Sequence, residues 1–498
     1  MNCLLIDMGL VNYGYADELQ RHLAEKVHQG EIPDTILLLE HSAVVTLGNQ
    51  GKTEHLKFSE AQLRAQKITL YQSDRGGDVT YHAPGQLVIY PIINLARHGK
   101  DLHQYVRNLE EVGIRTAASF GITAARRESC PGVWVGKVKL ASVGMTSRQW
   151  VTRHGMAINV SNPLADFSVI NPCGFDAGVM TSLSSLIQQD VSVREVIPVI
   201  IKHFADIFGL DLQISGLPAA SLKHPPWLQI KVPKGRVVED TRKLLEDLKI
   251  NTVCQEADCP NSGDCFSRGV ATFLIMGVNC TRNCRFCGVQ KKGPSPLDLR
   301  EPQRVAEAAL RLGLKHIVIT SVTRDDLLDG GAHHFAATIK ALRIASPEII
   351  VEVLIPDFGG DMQSLDTVLA AGPDILGHNL ETVPRLYEAI RPGADYQRSL
   401  SLLTHAADAQ PGLTVKSGIM VGVGERIEEV QQLLKELVET GCSSFTLGQY
   451  LKPHRDSIPI RQYVTLPMYE NYQAMAKNVG LKSVMVGPLV RSSYTAAA

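Results

Sequence analysis

Six of the ten cysteines in this 498-residue chain fall between Cys254 and Cys287. A chain that crowds its thiols this way must fold around whatever they bind. Met1 to Leu19 shows no basic region followed by a long apolar run. No apolar stretch approaches bilayer length, and Leu87–Ala96 is short and broken by Pro91. The expectation is a cytoplasmic protein with no membrane partner, whose cysteines are reduced thiols, metal ligands or catalysts rather than disulfides. Lys plus Arg total 50 against 51 for Asp plus Glu. That balance gives no support for nucleic-acid binding, although it is compatible with a local basic patch.

Cys280, Cys284 and Cys287 read C-x3-C-x2-C. Three thiolates this close can grip three corners of a four-iron cube and leave the fourth iron open. An open iron can chelate S-adenosylmethionine, pass it one electron and break it to a carbon radical. A structural zinc site would want a fourth Cys or His close by. Spacing alone leaves both readings open. A second triad, Cys254, Cys259 and Cys265, lies just upstream as C-x4-C-x5-C. By itself it reads equally as a small zinc-stabilised extension. Cys3, Cys130 and Cys442 are scattered and read most simply as small buried hydrophobes.

The length calls for at least two domains. Breakers crowd the stretch 211–235, with Ser215-Gly216, Pro218, Pro225-Pro226 and Pro233-Lys234-Gly235. The expected division is a first domain over 1–212, a linker over 213–235 and a second domain over 236–498. In the first, Thr35–Glu40, Leu87–Ile93, Val133–Leu140 and Met156–Val160 read as strands, and Asp101–Phe120 and Val193–Phe208 as helices, an α/β domain. In the second, apolar runs recur at Ala271–Gly277, His316–Thr320, Ile350–Ile355, Ile375–His378, Val415–Val421 and Phe445–Leu451. Most are separated by helix-period segments such as Pro302–Leu312, Ala332–Ala345 and Glu428–Thr440. Repeated strand–helix units predict a parallel sheet, open or closed into a barrel, with its chemistry on the loops after the strands.

The context of the first triad is the next clue. It follows a strand, and the next strand leads to Asp329-Gly330-Gly331. This resembles the radical SAM family, with its partial (β/α)6 barrel, and implies that Gly330 and Gly331 lie against the amino group of the cofactor. The two triads together, with His378-Asn379-Leu380-Glu381-Thr382, Gly448-Gln449-Tyr450-Leu451 and Arg491-Ser492-Ser493-Tyr494, resemble the lipoyl synthases over residues 226–494. By that resemblance Cys280, Cys284 and Cys287 hold the radical-generating 4Fe-4S cluster. Cys254, Cys259 and Cys265 hold an auxiliary 4Fe-4S cluster, with Ser493 as fourth ligand. Sulfur insertion into an alkyl chain needs both a radical and a waiting sulfur source. The oxygen ligand would be easier to release than a fourth thiolate. The turn Gly422-Val-Gly424 is no dinucleotide fingerprint.

Cys173 sits in Asn171-Pro172-Cys173-Gly174, a turn that can present a thiol, and a reactive thiol needs a neighbour that stabilises its thiolate. His82 and His154 are the generic candidates. The stretch Arg75-Gly-Gly-Asp-Val-Thr-Tyr-His82-Ala-Pro-Gly-Gln86 is followed by Gly136-Lys-Val-Lys139-Leu-Ala-Ser-Val-Gly144, by His154-Gly155 and by the cysteine turn. Residues 3–210 thereby resemble the lipoyl(octanoyl) transferases, a biotin/lipoate ligase-like α/β fold. The resemblance implies that Cys173 carries an octanoyl thioester and that Lys139 depresses its pKa. It also implies that Arg75, Gly76, Gly77, Asp78, Val79, Thr80, Tyr81 and His82, with Ser142, Val143, Gly144, His154, Gly155 and Met156, meet the substrate. On one strand Lys137 and Lys139 would share a face, so alternation cannot choose between them. The match to Leu140-Ala141-Ser142 chooses Lys139.

The two resemblances together imply a bifunctional enzyme of lipoate biosynthesis. Its donor would be octanoyl acyl carrier protein. Its acceptor would be a lysine on a lipoyl carrier domain, as in 2-oxoacid dehydrogenase E2 subunits or the glycine cleavage H protein. A ferredoxin or flavodoxin would supply electrons. Three alternatives stand beside it: an ATP-dependent lipoate ligase-like first half, a biotin synthase-like second half, or an iron–sulfur carrier fused to an acyl-binding module.

Overall fold

A computed structural model describes residues 1–128, 130–219, 225–229, 236–256, 259, 261, 265 and 272–493. The chain forms two compact units, Met1–Lys223 and His224–Ala498.

The first unit is built on a seven-stranded sheet. In chain order its elements are β1 (Asn2–Val11), β2 (Asp34–His41), β3 (Val44–Leu47), β4 (Thr69–Gln72), β5 (Val79–His82), β6 (Gln86–Ile92), β7 (Gly132–Val135), β8 (Val138–Arg148), β9 (Val151–Asn159) and β10 (Asp211–Ile214). The large sheet runs β10-β1-β2-β6-β9-β8-β7, and β4-β3-β5 form a small second sheet. Every residue of β6 and of β9 is buried, as befits central strands covered on both faces. Helices Leu102–Ser119 and Val193–Phe208 press Tyr105, Leu109, Val196 and Ile200 into the core with Leu5, Ile36, Leu87 and Ile158. Their starts are set by capping: Asp101 accepts from the Gln104 amide at 2.9 Å, and Ser192 and Glu195 form a capping box.

The expected strand Val133–Leu140 is two strands. Gly136, at φ 58°, turns the chain between β7 and β8, a left-handed conformation that suits glycine. Lys137 therefore lies exposed in the turn, while Lys139 is buried on β8. The two lysines do not share a strand face.

The second unit carries an eight-stranded sheet. Strands Thr272–Ile275, His316–Ser321, Ile350–Leu354, Ile375–Gly377, Thr414–Val421, Ser444–Gln449 and Ser483–Gly487 are parallel, each beside the next in chain order. Asn251–Thr252 adds an antiparallel edge. Sequential parallel order is the wall of a barrel, left open here because its two edge strands do not pair. Helices Glu301–Arg311, Ala332–Ala345 and Ile427–Glu439 cover it, and Phe273, Ile319, Val353, Leu376 and Phe445 fill the core. Among the described residues no helix is long and apolar enough to cross a membrane.

Candidate functional site

At the C-terminal ends of these strands lies a cavity of about 500 Å³, bordered by Ser321, Ile355, His378, Met420 and Gln449. Five of the six clustered cysteines also line it: Cys254, Cys259, Cys280, Cys284 and Cys287, together with Ser493. Cys265 is buried beside them, its amide donating to the Asn261 carbonyl at 2.9 Å.

The loop of the first triad is pinned by its backbone. The Cys280 amide donates to Gln290 O at 2.9 Å, and the Arg285 amide to Ile390 O at 2.9 Å. The Thr323 amide points at the Cys280 sulfur from 3.3 Å. Burial pushes the Cys254 and Cys287 thiols up to about 12. It raises Cys284 too, although the buried Arg391 guanidinium pulls that thiol down. Thiols crowded together and dried out hold their protons unless a cation takes them. This donor set fits a bound iron–sulfur cluster at each triad.

Charge around the cavity is tightly ordered. Arg282 bridges Asp325 at 2.8 Å and Asp357 at 2.7 Å. Burial works against the Asp357 carboxylate, but the guanidinium prevails and holds it at about 2. Arg391 donates to the Asn379 and Leu380 carbonyls at 2.9 and 3.2 Å. Glu381 is held at φ 66°, a strained left-handed conformation for a non-glycine. Burial raises its carboxyl against the pull of Arg391.

The segment Leu489–Ser493 is strapped over the barrel mouth. The Asn261 side chain donates to Leu489 O at 2.7 Å, and Asn379 Nδ2 donates to Ser492 Oγ at 2.7 Å. Gly448 leaves the room: a Cβ there would stand 2.0 Å from the Val490 carbonyl oxygen. The glycine pair is elsewhere. Gly330 and Gly331 lead into helix Ala332–Ala345 at φ 57° and 92°, and neither borders the cavity.

In the first unit the loop of Arg75, Gly76 and Gly77 lies against β8. The Gly76 amide donates to Met145 O at 3.0 Å, and a Cβ on Gly144 would meet Gly76 O at 2.9 Å. Ser142, Val143 and Gly144 of β8 thereby join that loop. Arg75 is buried and donates to Thr46 O and Asp78 O, each at 2.7 Å, so its guanidinium braces the loop. Val79, Thr80, Tyr81 and His82 form β5. His82 Nδ1 meets Gln86 at 2.6 Å while its buried Nε2 has no hydrogen-bond partner among the described residues, and burial drives its pKa well down, keeping it neutral. His154 pairs with Asp74 at 2.9 Å. Gly155 packs where a Cβ would stand 2.3 Å from Ile89 O, and Met156 is in the core. Both candidate histidines thus already have polar partners.

Lys139 places its Nζ 3.2 Å from the Cys130 sulfur and 5.4 Å from the centre of the Trp134 ring. Cys173 lies in the short turn Pro172–Gly174, and its side chain is outside the described residues. Phe175, two residues on, sets its ring 6.0 Å from that of Trp134. The thiol-bearing turn and the lysine-bearing hairpin therefore meet in one aromatic cluster. Two neighbours have no signal in the sequence. Cys130, whose carbonyl accepts from the Trp134 indole, comes beside Lys139, and His55, paired with Asp78, lies 3.6 Å from a Cβ placed on Gly174.

Residues 12–205 match the lipoyl protein ligase A/B catalytic domain, and residues 274–437 the radical SAM superfamily. The chain is 51% identical over 279 residues to a lipoyl synthase of Caldanaerobacter subterraneus subsp. tengcongensis, covering 55% of this chain and 96% of that one. It is 53% identical over 276 residues to a lipoyl synthase of Nitratidesulfovibrio vulgaris, covering 55% and 92%. A solved lipoate-protein ligase A bound with ATP aligns with 44% of this chain and 90% of its own, at 16% identity and a TM-score of 0.37.

Proposed function

Because the chain belongs to the lipoyl synthase family and carries a lipoyl protein ligase A/B catalytic domain ahead of that part, we propose that it is a bifunctional enzyme of lipoate biosynthesis. In the first unit, Cys173 attacks the octanoyl thioester of an acyl carrier protein, and the carrier's thiol leaves with a proton. A lysine amine of a lipoyl carrier domain then attacks the Cys173 thioester, giving an amide and restoring the thiol. The exchange needs no ATP. Lys139, buried on the Trp134 ring that Phe175 of the cysteine turn also meets, favours the thiolate.

In the second unit two carbon–hydrogen bonds of the octanoyl amide are exchanged for carbon–sulfur bonds, each hydrogen atom leaving to the carbon radical of one cleaved S-adenosylmethionine. When bound, a cluster on Cys280, Cys284 and Cys287 supplies the electron that splits S-adenosylmethionine to a radical, and one on Cys254, Cys259, Cys265 and Ser493 supplies sulfur. The cavity's apolar walls, among them Leu354, Ile355, Ile419 and Met420, suit an alkyl chain and keep water from a carbon radical. Electrons come from a ferredoxin or flavodoxin.

The observation that carries this reading is that cysteines of both triads and Ser493 share one cavity. Its test is the anaerobically prepared chain. About eight iron per chain are expected, with reductive cleavage of S-adenosylmethionine and one octanoyl adduct on Cys173 formed without ATP. Two zinc in place of iron, or transfer that requires ATP, would overturn the corresponding half.

A further inference from the structure

One lip of the cavity carries positive charge that no carboxylate among the described residues balances. It is made of two segments, 285–292 and 451–456, clasped together. The Ile458 amide donates to Arg285 O at 3.1 Å, and His454 Nε2 meets Gly288 O at 2.9 Å. Lys291 and Lys452 border the cavity, and Arg285, Lys292 and Arg455 stand beside them on the same segments. All five are exposed, and among the described residues none meets a carboxylate. Asp456 is the single acid of the two segments.

By contrast Arg282, which also lines the cavity, is matched by Asp325 and Asp357. The whole chain has a formal net charge of −1, so the lip is not the by-product of a basic composition. Like charges held within a Debye length repel one another, and a cluster of them raises the local concentration of an oppositely charged partner.

Resting on the function proposed above, the partner is constrained by chemistry. An octanoyl group bound as an amide to a lysine does not arrive alone. Its chain must enter the cavity while the protein that bears it rests on the rim. We propose that this lip is the docking surface for an acidic face of the carrier domain, next to its octanoyl-lysine. Rim charges of this kind act mainly on encounter rate and on salt dependence.

The test is the double charge reversal Lys292→Glu with Arg455→Glu, neither of which borders the cavity, in the full cluster-loaded chain. Dithionite serves as reductant. Two substrates are compared: an octanoylated carrier domain of acidic isoelectric point, and a short neutral octanoyl-lysine peptide. The KM for the carrier should rise about tenfold or more, with the peptide's KM unchanged. Raising ionic strength from about 0.05 to about 0.5 M should weaken the wild type toward the variant for the carrier alone. Binding of the same carrier domain to the cluster-free chain, read by titration calorimetry, should weaken in parallel. An unchanged carrier KM overturns the proposal, as does an equal rise for both substrates. So does a defect seen only when an acidic electron-transfer protein replaces dithionite, because the lip then serves the reductant. A wild type that makes no lipoyl product from either substrate but binds the carrier salt-dependently sinks the function and spares the docking surface.

Discussion

The path of the segment that carries Ser493 gives a quantitative test. Gly448 lies on strand Ser444–Gln449 without a positive φ, so alanine is conformationally allowed there and the obstacle is steric. Its Cβ would stand 2.0 Å from the Val490 carbonyl oxygen and 3.0 Å from the carbonyl carbon. Carbon–oxygen contacts relax to about 3.3 Å, so one side must retreat by roughly 1.3 Å. The strand is buried and paired on both edges, with Thr414–Val421 and Ser483–Gly487. The segment after Gly487 yields instead, and Ser493 moves with it. Overpacking of this kind costs about 1–3 kcal/mol, a few degrees of melting temperature in a unit of this size. A misplacement of about 1 Å beside reacting atoms costs on the order of a hundredfold in rate. Gly448→Ala should therefore keep its fold and still cleave S-adenosylmethionine, with lipoyl product per cleavage event falling about a hundredfold. Gly487→Ala is the control, since its Cβ would meet only the Val490 Cγ2 methyl at an ordinary 3.4 Å. An unchanged product-to-cleavage ratio in Gly448→Ala would refute the placement of Ser493 in the chemistry.

Replacing Cys280, Cys284 or Cys287 by Ala should abolish cleavage of S-adenosylmethionine, whereas Cys254, Cys259 or Cys265 replacements should retain cleavage and lose product. Equal loss in both sets, with the unmutated cluster's iron intact, would contradict separate roles. Lys139→Ala should raise the pH at which Cys173 is alkylated, read by mass spectrometry of each thiol, while Cys130→Ala should leave octanoyl transfer in place. The reverse pattern would make Cys130 the reactive thiol. His41 is buried against Val11 O at 3.0 Å and Tyr90 at 2.8 Å, and burial lowers its pKa to about 4. The unfolded chain takes that proton first, so this contribution to stability is complete above about pH 6.5. It fades as pH falls toward about 4, by roughly 3 kcal/mol. Urea midpoints at pH 7 and pH 4.5 should differ less in His41→Gln than in the wild type.

The second unit's strands are easy to read because both faces of each are covered, so runs such as Ile317–Ile319 and Phe273–Ile275 stay apolar without alternation. The cysteine triads are equally legible, since ligands to one cluster need closeness that short spacing supplies. What the sequence hides depends on register and long-range closure. The hairpin at Gly136 breaks an apolar run that reads as one strand and sets Lys139 opposite Trp134, whose indole donates to the Cys130 carbonyl. β1 and helix Tyr13–Gln29 go unmarked, and buried polar residues such as Asp17 and Gln20 blur the helix's apolar face. Asn261 and Leu489 join across 228 positions, and no local pattern announces such a pair. The cationic lip is invisible for the same reason, as its two segments are remote in the chain.

That closure has a consequence for biosynthesis. Chains emerge from the ribosome N-terminus first and fold by units as they do. The second unit's cysteine-rich segment appears early and every barrel strand precedes residue 489, but the residues from Leu489 to Ser493 come after all of them. A nascent chain can thus present both sets of thiols while the strap is still missing. On the function proposed above, the thiols then stand open to whatever delivers iron and sulfide, and the strap closes over them afterwards. Loading before closure would be easier than loading after it, so the order of translation itself sets a window for maturation.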